Sequence, residues 1–127
     1  MILGTGIDLC EVSRIKKAIL AEHGERLVQR VFAAGEIAYA ESKSNKYERY
    51  AARFAAKEAA MKALGTGWTE NTAWRDIEVV NGPSGRPELV LHGGAAEIAE
   101  KMGVSRISLS ITHTSETAMA IVILETA

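Results

Sequence analysis

Residues 47–64 read YERYAARFAAKEAAMKAL and carry the longest helical pattern in the chain. Alanine, which has the highest helix propensity, recurs throughout this segment, and Gly65 follows its last apolar residue. A glycine directly after an apolar helical pattern commonly ends a helix. The sequence therefore predicts a helix over 47–64 that ends in the loop GTG at 65–67. Because small apolar residues occupy most of its sides, we expect this helix to lie in the core.

Elements on both sides of this helix predict an α+β fold. On the N-terminal side we predict a strand over 1–12, a helix with Ser13 as N-cap that ends at Gly24, and helices over 25–32 and about 35–43. On the C-terminal side we predict a hairpin from 74–80 and 87–92, a helix over 95–102, and strands over 105–112 and 117–124. The short connection between the last two strands predicts antiparallel pairing. The expected fold is thus an antiparallel sheet packed against the long helix, in one domain over 1–127.

The composition is that of an ordinary globular protein. Hydrophobic residues make up 47% of the 127 residues, and 15 basic residues face 16 acidic ones, so the net charge is −1. No overall positive field is available for nucleic acid or a membrane, and any anion site must be local. The single cysteine, Cys10, excludes an intrachain disulfide and a cysteine-based zinc site. The chain carries no signal-peptide pattern and no apolar run of about 20 residues. We therefore expect a soluble, cytoplasmic protein.

Asp8 stands inside an apolar strand pattern, GIDL, that follows Gly4 and Gly6. Two readings are open for this carboxylate. It faces solvent or is held by hydrogen bonds, as most aspartates are, or it serves a functional site. The two glycines favour the second reading, because they allow another group to approach the backbone closely.

Glu58 and Lys62 lie four residues apart on the long helix and so share one of its faces. An ordinary surface ion pair is the simpler interpretation. The apolar surroundings, however, indicate burial, and a buried carboxylate needs a partner or a metal. If Asp8 lies opposite Glu58, the two carboxylates form an oxygen site suited to Mg²⁺, with Lys62 facing substrate phosphates. Arg53 and Lys57 would add positive charge earlier on the helix.

The other candidate groups each have a structural interpretation beside the functional one, and a lone histidine is more often structural than catalytic. The GTG loop either presents N–H groups to an anion or simply caps the helix. His113 either packs as a structural residue or donates to a phosphate. Cys10 is expected to be a buried apolar residue rather than a nucleophile, because no nearby cation is evident to lower its pKa. The exposed basic residues of the early helices are either a solvated face or a docking face for an acidic protein.

Three segments follow one another in the chain: GTGIDLCEVSRI at 4–15, RFAAKEAAMKALGTG at 53–67 and SLSITHTSETAMAIVILE at 108–125. In this order they resemble the holo-acyl-carrier-protein synthases, the small bacterial 4′-phosphopantetheinyl transferases. The segment RVFAAGEIAYAESK at 30–43 is similar to the family's intervening helix. One departure lies in RVFAAGE, where relatives often have Thr before the acidic residue. This departure is expected to affect a helix start and not the site.

The resemblance implies an activity, a fold and an assembly. The activity is transfer of 4′-phosphopantetheine from coenzyme A to a serine of apo acyl carrier protein, with release of 3′,5′-ADP. Relatives are α+β proteins that depend on Mg²⁺ and form homotrimers with sites at subunit interfaces. Two other functions remain open: another Mg²⁺-dependent enzyme acting on a nucleotide or diphosphate, and a non-catalytic module that binds coenzyme A or the carrier.

The same resemblance implies roles for individual residues. Asp8 and Glu58 match the metal ligands, and Lys62 matches the lysine that faces the phosphates. Positions associated with coenzyme A are matched by Arg53, Gly65, Asn81, Pro87, His113 and Thr114. Arg14 matches the helix that docks the carrier protein, and Lys17 and Arg26 extend its positive charge. The general base for the serine is left open among Glu58, Asp8 and a water on the metal.

Overall fold

The computed structural model describes residues 1–66 and 73–127. The first half of the chain forms β1 Ile2–Glu11, α1 Val12–Leu20, α2 Gly24–Val31, α3 Ala34–Glu41 and α4 Lys46–Leu64. The second half forms a short 3₁₀ turn at Trp74–Asp76, β2 Ile77–Asn81, β3 Pro87–Leu91, α5 Gly93–Met102, β4 Arg106–His113 and β5 Thr117–Glu125. The α+β fold with antiparallel sheets that the sequence predicts is confirmed.

The ends of a few elements differ from the prediction. The first helix begins at Val12, and its N-cap is Glu11, which forms no capping hydrogen bond through its side chain, rather than Ser13. The first hairpin strand begins at Ile77, because the 3₁₀ turn occupies the start of the predicted strand. Both differences are a few residues long and leave the topology unchanged.

Helix α4 crosses the inner face of a three-stranded antiparallel sheet with the order β1-β5-β4. The alanines of α4 are buried against β1 and β5, so the helix backbone can come unusually close to the strands. At Gly6 an added Cβ would lie 1.8 Å from the carbonyl oxygen of Ala59, and at Gly4 it would lie 2.1 Å from that of Ala63. The close approach that the glycines predicted therefore occurs, and the approaching group is the backbone of α4.

The outer face of the same sheet is exposed and partly apolar. Strand residues alternate between the two faces, so the neighbours of the inward-facing glycines point outward. Ile7 is 56% exposed and Leu9 62% exposed, and they pair in register with Ile121 and Met119 of β5. These four residues form one apolar patch, which we call the outer-sheet patch. No helix among residues 1–66 and 73–127 is long and apolar enough to cross a membrane.

Candidate active site

The structure brings Asp8, Glu58 and Lys62 together where β1 runs beside α4. The Lys62 ammonium donates to Asp8 Oδ1 at 3.0 Å and to the carbonyl oxygen of Ile7 at 3.0 Å. The Asp8 side chain is 11% exposed, whereas that of Lys62 is 56% exposed. This ion pair thus joins α4 to β1. The four-residue spacing of Glu58 and Lys62 instead suggests a pair along the helix. Lys62 remains accessible to a ligand from solvent.

The Glu58 and Asp8 carboxyl groups lie within hydrogen-bonding reach of each other. The pKa of Glu58 is raised, first by burial, then by the negative charge of Asp8, and then by a hydrogen bond with Asp8. The charges of Lys62 and Arg14 act in the opposite direction. Two acidic groups in contact repel when both are ionised, and a cation between them relieves that repulsion.

This carboxylate pair fits a magnesium ion. Mg²⁺ usually takes one or two carboxylates from the protein and completes its shell with waters and substrate phosphates. Within the described ranges, no cluster of three or more histidine, cysteine or acidic residues forms a metal site from protein ligands alone. Asp8 and Glu58 therefore have the chemistry of a partial Mg²⁺ site that a phosphate-bearing substrate would complete.

A second cluster surrounds the Arg53 guanidinium on another side of α4. Arg53 is buried, and its Cζ lies 4.0 Å from the centroid of the Tyr39 ring. Its Nη2 donates to Asn81 Oδ1 at 3.4 Å, but its Nε has no hydrogen-bond partner within residues 1–66 and 73–127. Burial lowers the pKa of Arg53, which still remains charged because its ordinary value is so high. Pro87 is the register partner of Asn81 at the turn end of the hairpin.

Tyr39 was not singled out from the sequence. Three cations from two segments approach its ring: Arg53 and Arg49 belong to α4, and Lys43 follows α3. The Lys43 ammonium lies 5.2 Å and the Arg49 guanidinium 5.9 Å from the ring centroid. An aromatic face attracts cations, and Tyr39 therefore gathers positive charge around one surface of the protein. A tyrosine three residues after Glu36 on a short helix carries no motif that would have identified this role.

His113 and Thr114 form a third cluster at the β4–β5 turn. His113 Nδ1 lies 3.1 Å from Glu48 Oε1, on the first turn of α4. The Thr114 hydroxyl oxygen accepts the backbone N–H groups of Glu116 and Thr117 at 3.2 and 3.1 Å, which fixes the turn. In this chain His113 is thus oriented by a carboxylate, and Thr114 stabilises the turn beside it.

The three clusters do not converge on one point within a single chain. Arg53 and Glu58 are five residues apart on α4, which places them about 140° apart around the helix. Through β5, His113 lies level with Cys10 of β1, at a distance of two strand spacings, or about 9–10 Å. A ligand that contacts all three clusters would therefore have to be an extended molecule.

The expectation that Lys57 adds positive charge near Glu58 and Lys62 is wrong. Its ammonium is completely buried and pairs with Glu36 at 2.7 Å, and it also donates to the carbonyl oxygens of Trp74 and Ile77. Burial lowers the pKa of Lys57, while the charge of Glu36 and their hydrogen bond oppose that change. Lys57 therefore adds no charge to the surface near Lys62, because it faces α3 and β2 instead.

The structure supports the capping interpretation of Gly65. Its φ is 75°, in the left-handed region that favours glycine, and its N–H bonds back to the carbonyl oxygens of Met61 and Lys62. That N–H is therefore engaged by the helix end. Gly67, the last residue of the GTG loop, lies outside the described residues.

Cys10 is buried, as expected. Its thiol is a poor nucleophile for a different reason than the sequence indicated. A cation, Arg14, does lie near enough to lower the pKa of its thiol. Burial and the charge of Asp8 outweigh that effect and raise the pKa to about 11. The thiol is thus almost entirely protonated near neutral pH and is a poor nucleophile.

The basic residues of the early helices are exposed. Arg14 and Lys17 lie on α1, and Arg26 lies on α2. Because the charge of Arg14 is felt by Glu58, the start of this basic surface borders the carboxylate pair. A protein docked on α1 would therefore reach the Asp8–Glu58–Lys62 cluster.

Comparison with known proteins shows the family of the chain. Residues 4–122 match the family model of the 4′-phosphopantetheinyl transferase superfamily. A holo-(acyl-carrier-protein) synthase of Solibacter usitatus is 58% identical over 98% of this chain and 99% of its own.

Solved structures extend the similarity to the fold. The holo-(acyl-carrier-protein) synthase of Neisseria meningitidis superposes with a TM-score of 0.89 at 31% identity, over 99% of this chain and 100% of its own. That of Bacillus anthracis, in complex with CoA (3′,5′-ADP), has a TM-score of 0.81 at 36% identity, over 100% of this chain and 99% of its own. The resemblance noted in the sequence is confirmed, and the chain belongs to the 4′-phosphopantetheinyl transferase superfamily.

Proposed function

We propose that this protein transfers 4′-phosphopantetheine from coenzyme A to a serine of apo acyl carrier protein and releases 3′,5′-ADP. The observation that carries the proposal is the contact of the Asp8 and Glu58 carboxyls beside the exposed Lys62 ammonium, in a chain that matches the transferase family over most of its length. The relative crystallised with CoA (3′,5′-ADP) supports the choice of donor.

The reaction makes one oxygen–phosphorus bond and breaks another. The serine hydroxyl attacks the β-phosphorus of coenzyme A, and the bond from that phosphorus to the leaving 3′,5′-ADP breaks. The serine must lose its proton, and the groups placed to accept it are Glu58, Asp8 and a water beside them. Lys62 can then neutralise the charge that grows on the leaving phosphate.

We further propose that Asp8 and Glu58 hold Mg²⁺. When bound, this cation would neutralise the pyrophosphate of coenzyme A and help to orient it. The two carboxyls would supply two of its ligands, and a cation bound between them would relieve their mutual repulsion.

The assembly proposed is a homotrimer with sites shared between subunits. Two features of the chain support association with further copies. The outer-sheet patch leaves Ile7 and Leu9 more than half exposed, and contiguous exposed apolar surface typically marks an interface. The nucleotide-binding residues implied by the resemblance, Arg53 and His113, lie in clusters separate from Glu58, as a shared site requires.

The proposed partner is an acidic carrier protein that docks on Arg14, Lys17 and Arg26. Opposite charges on the two surfaces would steer the encounter, and the position of Arg14 beside Glu58 would bring the carrier serine to the carboxylate pair. We place the reaction in the cytoplasm, in fatty acid biosynthesis, with the whole chain acting as one transferase domain.

A transfer assay tests the proposal directly. The purified chain is incubated with coenzyme A, Mg²⁺ and apo carrier protein, and the intact carrier is weighed by mass spectrometry. We expect a gain of one phosphopantetheine group together with released 3′,5′-ADP. Hydrolysis of coenzyme A without modification of the carrier would indicate another diphosphate-processing enzyme. Binding of coenzyme A without any reaction, with or without Mg²⁺, would indicate a binding module.

A further inference from the structure

A buried ion pair outside the reacting groups joins four segments of the protein. Lys57 of α4 and Glu36 of α3 are both fully buried, with 2.7 Å between Nζ and Oε1. Glu36 Oε1 also accepts the backbone N–H of Ala33 at 2.8 Å, and Oε2 accepts that of Val79 at 2.9 Å. We call this pair and its backbone partners the Glu36–Lys57 clamp.

The clamp is fully satisfied, which distinguishes it from an accidental buried charge. A lysine ammonium has three donors, and those of Lys57 reach Glu36 and the carbonyl oxygens of Trp74 and Ile77. Burying two charges is costly, and replacing such a pair by apolar residues often leaves stability unchanged or raises it. Stability alone therefore explains the clamp poorly, and a role in fixing relative positions explains it better.

The Arg53 cluster consists of Tyr39, Arg53 and Asn81. On each of the three elements, a residue of the clamp lies about one helical turn, or two strand residues, from a member of this cluster. On α4, Lys57 follows Arg53 by four residues, which places both on the same helix face. On α3, Glu36 precedes Tyr39 by three residues, again on one face. On β2, Val79 precedes Asn81 by two residues, so both side chains point to the same side of the strand.

The Arg53 cluster is poorly held by its own contacts. Among the described residues, the hydrogen bonds that hold it are long: Arg53 Nη2 donates to Asn81 Oδ1 at 3.4 Å, and Arg49 Nη1 donates to the Tyr39 hydroxyl oxygen at 3.4 Å. Arg53 Nε has no hydrogen-bond partner among those residues. The orientation of Tyr39 under the guanidinium depends on where α3 sits against α4. The clamp fixes α3, α4 and β2 relative to one another, one helical turn or two strand residues away from the cluster. It therefore restrains the positions of the cluster's side chains.

We propose that the Glu36–Lys57 clamp is a positioning device that fixes Tyr39, Arg53 and Asn81 for the phosphate-bearing nucleotide of coenzyme A. This inference rests on the proposed function, since it takes that nucleotide as the ligand of Arg53. The clamp contacts neither the carboxylate pair nor Lys62, and it therefore sets nucleotide affinity while leaving the transfer step unaffected.

The test compares Glu36→Gln with a variant that weakens the core elsewhere. Glu36→Gln keeps the shape of the side chain but removes the charge that holds Lys57. Leu124→Ala removes buried volume from β5, a strand that carries no residue of the clamp, and serves as the control for lost stability. Each variant is measured for KM and kcat with coenzyme A, KM for the carrier, the melting temperature, and the Kd of 3′,5′-ADP by titration calorimetry.

We expect Glu36→Gln to raise both the KM for coenzyme A and the Kd of 3′,5′-ADP by about tenfold, the scale of a misplaced charge-assisted contact. The kcat and the KM for the carrier should stay within about threefold of the unaltered protein. Leu124→Ala should lower the melting temperature without changing either nucleotide constant. An unchanged KM and Kd in a folded Glu36→Gln, or a loss confined to kcat, would overturn the inference.

The double variant Glu36→Leu/Lys57→Met decides the question if Glu36→Gln does not fold, because an apolar pair in place of a buried ion pair often keeps stability. It removes the hydrogen bonds and the ion pair that fix α3, α4 and β2, and it should raise the same two nucleotide constants. Unchanged constants in this folded double variant would refute the positioning role. Arg53→Ala reports whether the nucleotide uses this cluster at all. If the unaltered protein neither transfers phosphopantetheine nor binds 3′,5′-ADP, the proposed function itself is wrong.

Discussion

Gly6→Ala tests how tightly the carboxylate pair depends on the contact between β1 and α4. The added Cβ would lie 1.8 Å from the carbonyl oxygen of Ala59 and 2.9 Å from the backbone nitrogen of Ala63. Both are backbone atoms, so no side chain can rotate away. Strand and helix must separate by roughly 1.5 Å to reach ordinary van der Waals contact. Asp8, two residues along the same face of β1, would then move away from Glu58.

Two magnitudes follow from that displacement. Overpacking of this kind costs about 1–3 kcal/mol, which for a chain of this size lowers the melting temperature by about 4–12 °C. A shift of about 1 Å in catalytic geometry costs about 100-fold in rate. Because the protein stays folded at 25 °C, the loss of kcat/KM should greatly exceed any loss of folded protein.

The assay is carrier modification under steady-state conditions, with a thermal melt on the same sample. Gly35→Ala is the matched control, because the Cβ there meets only Glu78 Oε2, at 3.5 Å, and Gly35 lies within α3. That variant should keep its activity and be as stable as the unaltered protein or up to about 1 kcal/mol more stable. A Gly6→Ala protein with an unaltered melting temperature and unaltered activity would refute the close-packing argument.

Three further predictions concern single side chains. Lys62→Ala should lower kcat more than it weakens coenzyme A binding, because charge grows on the leaving phosphate; a rise in KM alone, with kcat unchanged, would assign Lys62 to ground-state binding. Arg14→Glu should raise the KM for the carrier more than Arg14→Ala does, with little effect on coenzyme A, and salt should reduce the difference; an unchanged carrier KM at low salt would place the docking surface elsewhere. Ala33 is the N-cap of α3, and Glu36 accepts its N–H, so Ala33→Ser would complete a capping box. That variant should gain about 0.5–2 kcal/mol in denaturant unfolding, and no gain would mean that the hydroxyl does not reach the helix N–H groups.

The sequence predicts the elements of the fold well, because local signals determine them. The alanine-rich pattern and Gly65 mark α4, and the short connection before β5 marks an antiparallel pair. The glycines of β1 correctly predict a close approach, but not what approaches. That depends on α4 lying across the sheet, which no local pattern specifies.

The candidate site was predictable only in part for the same reason. The spacing of Glu58 and Lys62 suggests a pair along the helix, yet Lys62 binds Asp8 across the gap to β1. Lys57 and Lys62 are chemically identical, and only the packing of α3 and β2 over one side of α4 makes the first a buried partner of Glu36. No local pattern indicates Tyr39, because its role depends on cations that lie elsewhere in the sequence.

The most direct measurement is carrier modification by Asp8→Asn and Glu58→Gln at saturating Mg²⁺, followed by mass spectrometry of the intact carrier. Both amides keep the shape of the side chain but are neutral, weaker ligands for a hard cation. Circular dichroism confirms that each variant is folded. We predict that each loses most of its transfer activity, while the unaltered protein converts the carrier fully. Turnover close to that of the unaltered protein in both variants would contradict the assignment of this carboxylate pair as the catalytic centre.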